Sequence, residues 1–190
     1  MKRLIVLASL LGFSSVQAAV ETYTIDPVHS SVGFSIRHFV SKVPGSFTKF
    51  SGTVTVDRDN LENSSVEASI EVGSINTASE NRDKHLKSPD FFEAEKFATI
   101  AFKSKAWKKT GAETFDVTGD LTIKDVTKEV VLNVTLLGFG SGSRGAMLSG
   151  WEAVTALKKS DFNVKGPPML ASVLGDDVAV HIGVEAKLKP

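Results

Sequence analysis

Few side chains in this sequence are equipped to do chemistry. Its 190 residues include four histidines and no cysteine, which excludes thiolate zinc sites, iron–sulfur clusters, disulfide frameworks and cysteine nucleophiles together. Two short segments place a carboxylate near an imidazole, Asp26-Pro27-Val28-His29 and Asp83-Lys84-His85. If His29, Asp83 and His85 converged within about 3 Å in one pocket, they would furnish the acid and base of a hydrolase or an isomerase acting on a lipid-like substrate. Neither segment carries the i, i+4 histidine pair of a helical zinc site. His38 and His181 sit on separate strand-like runs, so a metal would need ligands gathered from distant strands, and none is expected. Gly140-Ser141-Gly142-Ser143-Arg144-Gly145, with Asp161 further on, matches the dinucleotide fingerprint Gly-x-Gly-x-x-Gly. That fingerprint works inside a βαβ unit, and the flanking segments lack a crossover helix, so the match reads as a flexible loop between two strands.

The elements that must position any site are strands. From residue 20 onward, apolar residues recur with a period of two. Val32, Phe34, Ile36 and His38 share one face; Phe50, Gly52, Val54 and Val56 share another; Val66, Ala68, Ile70 and Val72 follow. Ile100 and Phe102 precede the row Phe115, Val117, Gly119, Leu121 and Ile123, and then Val130, Leu132, Val134 and Leu136. The last run, Val178 to Leu188, alternates most cleanly, with His181 on its polar face. Hairpin-length connections predict antiparallel neighbours. With Tyr23 to Ile25 and the segment from Ala146 to Lys158, eight to nine strands are expected. That number allows an all-β barrel wide enough for side chains or one small ligand. A two-sheet sandwich is the alternative, and the long runs at 128–139 and 177–189 favour the barrel. Two stretches break the alternation. Ser79 is placed as the N-cap of a short charged helix that ends near Ser88-Pro89-Asp90 before Phe91-Phe92, and residues 160–176 form an irregular insertion. Both carry apolar residues and read as lids or plugs at the barrel ends.

Composition bounds the class. Basic and acidic side chains both number 22, so no basic field draws nucleic acid, and 42% hydrophobic with 23% charged residues fits an ordinary globular domain. Twelve phenylalanines against two tryptophans and one tyrosine call for an unusually apolar interior. Met1-Lys2-Arg3, the apolar run Leu4 to Phe13 and the small residues of Val16-Gln17-Ala18-Ala19 have the pattern of a cleaved signal peptide over residues 1–18. The run is far short of the roughly 20 residues that span a bilayer, so no stable membrane anchor is expected. Residues 19–190 are then one exported domain, and export without cysteine fits a periplasm. Loss of Lys2 and Arg3 leaves 20 basic against 22 acidic side chains, which gives the whole molecule no attraction to anionic membranes.

Several motifs carry a resemblance. Asp26-Pro27-Val28-His29-Ser30 leading into Val32-Gly33-Phe34-Ser35-Ile36-Arg37-His38 resembles the opening of the YceI-like family of bacterial periplasmic proteins. The likeness continues through Gly45-Ser46-Phe47, Phe50-Ser51-Gly52, Arg82-Asp83-Lys84-His85-Leu86 with Asp90-Phe91-Phe92, Gly119 to Lys128, and Lys159-Ser160-Asp161-Phe162. The resemblance implies an extended lipocalin-like antiparallel eight-stranded β-barrel with short helical insertions, whose internal tunnel holds a polyisoprenoid or quinone-like lipid. It also implies a homodimer, and it transfers no catalytic residue. One departure stands out: many members have Arg-x-Asp-Phe-Gly where this chain has Lys159-Ser160-Asp161-Phe162-Asn163, which keeps the charge but not the planar fork. On this reading Phe34, Ile36, Phe47, Phe50, Phe102, Leu121, Leu136 and Trp151 line the tunnel, with His38, Arg82 and His85 near its polar end. Gly52, Ala68, Gly119 and Ala153 leave room between the large rings. The expected partner is a long-chain amphiphilic lipid, carried or stored, with no other cofactor required. The competing expectation is a ligand-free stress-protective module in which the same residues form a solid core.

Overall fold

The period-two patterning becomes one sheet of eleven strand segments, seen in a computed structural model that describes residues 20–190. The segments are β1 Glu21–Ile25, β2 Ser31–His38, β3 Ser41–Phe47, β4 Phe50–Val56, β5 Ser65–Glu71, β6 Ile75–Asn76, β7 Thr99–Lys109, β8 Thr114–Ile123, β9 Val126–Ser141, β10 Met147–Lys158 and β11 Leu174–Leu188. Among the described residues one α-helix, α1 at Glu80–Lys87, lies between β6 and β7. It is too short to cross a membrane.

Closure follows from β11. One of its edges pairs with β10; the other pairs with β1 through Tyr23–Ile25 and with β2 through residues 31–38. Thus β1 and β2 are two halves of one bent strand, interrupted at Asp26-Pro27, where proline removes a ladder donor. Strands β3 and β4, joined through Thr48-Lys49, pair with β2 and β1 respectively, and β6 and β5 continue the same ladder. The result is a closed antiparallel barrel of eight strands, three of them broken by bends. Sequence alternation predicts this barrel, and the bends account for the higher number of segments.

Two further irregularities turn side chains inward out of step. A bulge between Ser104 and Ala106 lets Phe102 and Trp107 face the same interior although their numbers differ in parity. A register shift at Gly150/Trp151, opposite Gly138 with φ of +141°, does the same for Leu136 and Phe139. Such bulges supply the curvature that closes a small barrel.

The interior holds two apolar clusters. At one end Tyr23, Val56, Trp107, Phe115, Val117, Leu136, Trp151 and Ala186 pack solidly. Arg58 covers that end, its guanidinium 4.1 Å from the Phe139 ring centre and hydrogen-bonded to Glu21 and to the Tyr23 hydroxyl. Burial pushes the Tyr23 hydroxyl pKa up. At the other end Val32, Phe47, Ile75, Ile100 and Leu121 meet Phe91 from the loop after α1 and Phe162 and Val164 from the second insertion. Both insertions therefore cover the same end of the barrel.

Helix α1 starts where the sequence places it, with a different cap. Ser79 holds the N-cap position but its side chain makes no capping bond. Asp83 instead accepts from the Thr77 backbone N–H at 2.8 Å and from the Thr77 hydroxyl at 2.5 Å. Arg82 donates through Nε to the Thr77 hydroxyl at 2.8 Å and through a terminal nitrogen to the Thr77 carbonyl at 2.6 Å. Thr77, buried ahead of the helix, is the post to which the first turn is tied. Of the Gly140–Gly145 motif, Gly140 and Ser141 end β9 and pair with Leu148 and Met147, and Gly142 to Gly145 lie in the connection to β10, with a single 3-10 turn at Ser143–Gly145.

Candidate functional site

Between the two clusters runs a cavity of about 690 Å³, within the roughly 300–1,000 Å³ of small-molecule pockets. Its deep end stops at Val54, Trp107, Val134, Trp151 and Val184, beyond which the first cluster is solid. Trp107 and Trp151 meet there edge to face, ring centres 5.6 Å apart. Its wall is aliphatic and aromatic, from Val66, Ala68 and Ile70 round to Val178, Val180 and Ile182. Its other end opens between the β2–β3 hairpin, the start of α1 and the second insertion, through His38, Val43, Asn81, Arg82, Leu170 and Leu174.

Phe34, Ile36, His38, Phe47, Phe50, Arg82, His85, Phe102, Leu121 and Trp151 all line this cavity. Leu136 does not. It keeps the inward face of Val134 but stands one step further along β9, past the cavity floor, where it is 8% exposed inside the solid cluster. The glycine expectation also changes. A Cβ on Gly119 would lie 2.5 Å from the Phe102 ring, and one on Gly52 would lie 2.5 Å from the Glu67 carbonyl and 2.8 Å from Ile25 Cδ1, so neighbouring backbone and side chains already use that space. Ala68 and Ala153 do face the cavity.

Every charged lining group is cationic or an imidazole, Arg82, Lys159, His38 and His85, and no aspartate or glutamate lines the cavity among the described residues. Lys159 was absent from the expected lining. Its side chain is 15% exposed; its ammonium donates to the Lys165 carbonyl at 3.0 Å and lies 3.8 Å from Asp176. The departure at the Arg-x-Asp-Phe-Gly position was the available signal. The same departure has a backbone reason: Asn163 takes φ of +59°, the left-handed conformation in which glycine is at ease and asparagine is tolerated. Phe91, Phe92 and Phe162 also join the wall from the two insertions, where no strand alternation could assign them a face.

The carboxylate–imidazole groups do not assemble into a catalytic set. Asp83 is engaged by Thr77, while His85 Nε2 lies 2.8 Å from Asp90 on the protein's surface. Residues two apart on a helix do not share a face, and only His85 of the two reaches the cavity. His29 is elsewhere, its Nδ1 2.9 Å from Asp26 and 3.6 Å from Glu185. Asp26, His29 and Glu185 bring potential metal-ligand atoms within 4.8 Å of one another. Lys187 already supplies the positive charge there, its ammonium 2.6 Å from the Asp26 carboxylate. Lys187, then His29 and the Val28 N–H, hold the Asp26 carboxyl well below the usual carboxylate range. This cluster clamps the bend between β1 and β2 onto β11.

The family model for the YceI-like domain matches residues 23–186, essentially the whole barrel. The chain belongs to the YceI-like family. Among YceI-like relatives, a UPF0312 protein of Photorhabdus laumondii is 41% identical over 159 residues, covering 83% of this chain and 82% of its own. The crystal structure of Burkholderia cenocepacia BcnA superposes with a TM-score of 0.79 at 26% identity, over 85% of this chain and 99% of that one. A polyisoprenoid binding domain from Saccharophagus degradans, implicated in plant cell wall breakdown, shares the fold at a TM-score of 0.67 and 16% identity, over 88% of this chain and 98% of its own.

Proposed function

We propose that this protein is a periplasmic lipid-binding protein that holds a polyisoprenoid or isoprenoid-quinone-like amphiphile in its barrel, for transport or storage. The observation that carries the reading is the cavity, apolar along its depth and bearing its cations only at the covered end. Such a shape sorts an amphiphile by its parts. Each buried methylene contributes about 0.8 kcal/mol, so a few isoprene units supply enough driving force to leave water. The tail then sets affinity, while Arg82, Lys159, His38 and His85 orient the polar head. Arg82 spends two hydrogen bonds on Thr77, and the guanidinium has five N–H donors in all. The family match and the shared fold with a polyisoprenoid binding domain support the same reading. The separate engagements of His29, Asp83 and His85 favour binding over acid–base chemistry. The chain's two tryptophans both line the deep end of the cavity, which provides the test. Titrating the lipid-stripped protein with a long-tailed ubiquinone should quench tryptophan emission saturably, at one quinone per chain. Unchanged emission would refute the reading.

A further inference from the structure

The hairpin joining β2 to β3 breaks two rules at once. His38 pairs with Ser41, so Phe39-Val40 is the whole turn. Two-residue hairpin turns favour Asn-Gly, Asp-Gly or glycine first, because the backbone must take positive φ. Phe39 does so, at +50°, in a conformation that a bulky side chain rarely adopts. Burial does not compensate: Phe39 is 58% exposed and Val40 is fully exposed at 102%. The Phe39 ring meets His38 edge to face, ring centres 4.8 Å apart, but neither side chain of the turn is buried, and backbone strain of this kind concentrates at functional sites.

The turn is part of the cavity mouth. The Phe39 N–H donates to the Val173 carbonyl at 2.8 Å, and His38 pairs with Leu174, which ties the turn to the second insertion. On that insertion Met169 is 83% exposed. Between these apolar tips, His38, Leu170 and Leu174 line the opening. The hairpin residues 37–42 and the stretch 165–174 hold exposed Arg37, Lys42 and Lys165, and the aspartates that border them are already engaged, Asp161 by Lys128, Asp176 by Ser160 and Asp177 by Lys158.

We propose that this rim docks on anionic phospholipid surfaces, with Phe39, Val40 and Met169 entering the boundary between headgroups and acyl chains. Lipid then moves between bilayer and cavity without crossing water. The inference rests on the lipid-binding reading of the cavity. A membrane suits the rim better than a protein partner, because a stable protein interface enlists roughly 20–30 residues a side. A few apolar tips flanked by cations are instead the pattern of weak, reversible interfacial binding.

The test is flotation of the mature protein with vesicles of phosphatidylcholine and phosphatidylglycerol, and of phosphatidylcholine alone. Wild type should float with the anionic vesicles and less with the neutral ones. The double variant Phe39→Gly/Val40→Asn gives the turn its favoured chemistry, so its thermal midpoint should equal or exceed wild type. Its vesicle affinity should nevertheless fall about tenfold or more, and Met169→Ser should lower it further. Equal flotation of the double variant and wild type would overturn the proposal. So would wild type that floats with neither vesicle, which would hand the rim to a protein partner. Solvent extraction of that same non-floating protein would keep the two claims apart, since lipid found in it would leave the carrier reading standing without the docking.

Discussion

At the scale of single residues, polar groups sort into those that hold the barrel and those that face its cavity. Asp26 belongs to the first kind. Its folded-state pKa is depressed by Lys187 and His29, so the stability it contributes is present above the ordinary carboxylate range of about 4 and is lost as pH falls below it. Wild type should therefore lose more of its urea midpoint between about pH 7 and about pH 3 than Asp26→Asn does; equal losses would remove Asp26 from the clamp. Asn163 belongs to the backbone. Since its φ is +59°, Asn163→Ala should destabilise by about 1 kcal/mol in chemical denaturation, while Asn163→Gly should change little. The sequence made the cationic mouth legible in part. His38 showed itself by continuing an apolar face and Arg82 and His85 by the family motif, whereas Lys159 appeared only as a departure from that motif. The distances that disqualify His29, Asp83 and His85 as a catalytic set depend on which strands meet, and no spacing along the chain encodes that.

At the scale of elements, strand alternation named the inward face almost throughout, and it failed where the backbone changes step. Leu136 continues the inward row of Val130, Leu132 and Val134 into the solid end, but past the Gly138 bend it is the odd-numbered Phe139 that turns inward. Ser79 occupies the N-cap that local sequence assigns it, but Asp83 and Thr77 do the fastening because they lie across the turn. The β2–β3 pair tests the cavity wall directly. Phe34 faces Gly45, where a Cβ would stand 2.3 Å from its ring. Gly45→Val should push that ring into the cavity and lower lipid capacity in a protein that retains its strand circular dichroism; undiminished capacity would mean that the ring has somewhere else to go. Phe34→Asp places a charge on the apolar wall, where burial without a partner costs several kcal/mol. The folded variant should retain no lipid, and full retention would remove Phe34 from the binding surface.

At the scale of the whole molecule, the barrel is asymmetric along its axis. One end is solid and sealed by Arg58, Tyr23 and Glu21; the other is covered by two insertions and rimmed by exposed apolar side chains. The phenylalanine excess serves mainly this interior, with Phe39 the clear exception. Architecture and family were legible because antiparallel hairpins and a period of two are local properties. The emptiness of the interior was not, because a filled barrel and a hollow one share the same alternation. The expected signal segment lies outside the described residues, and fractionating cells that express the full chain should place the mature protein in the periplasm with Lys2 and Arg3 removed. The central claim, that the hollow barrel carries a lipid, is met most directly by extracting the natively produced, purified protein with organic solvent and weighing the extract by mass spectrometry. The account predicts a stoichiometric long-chain isoprenoid or quinone-like lipid, and an empty protein that also takes up no added quinone would contradict it.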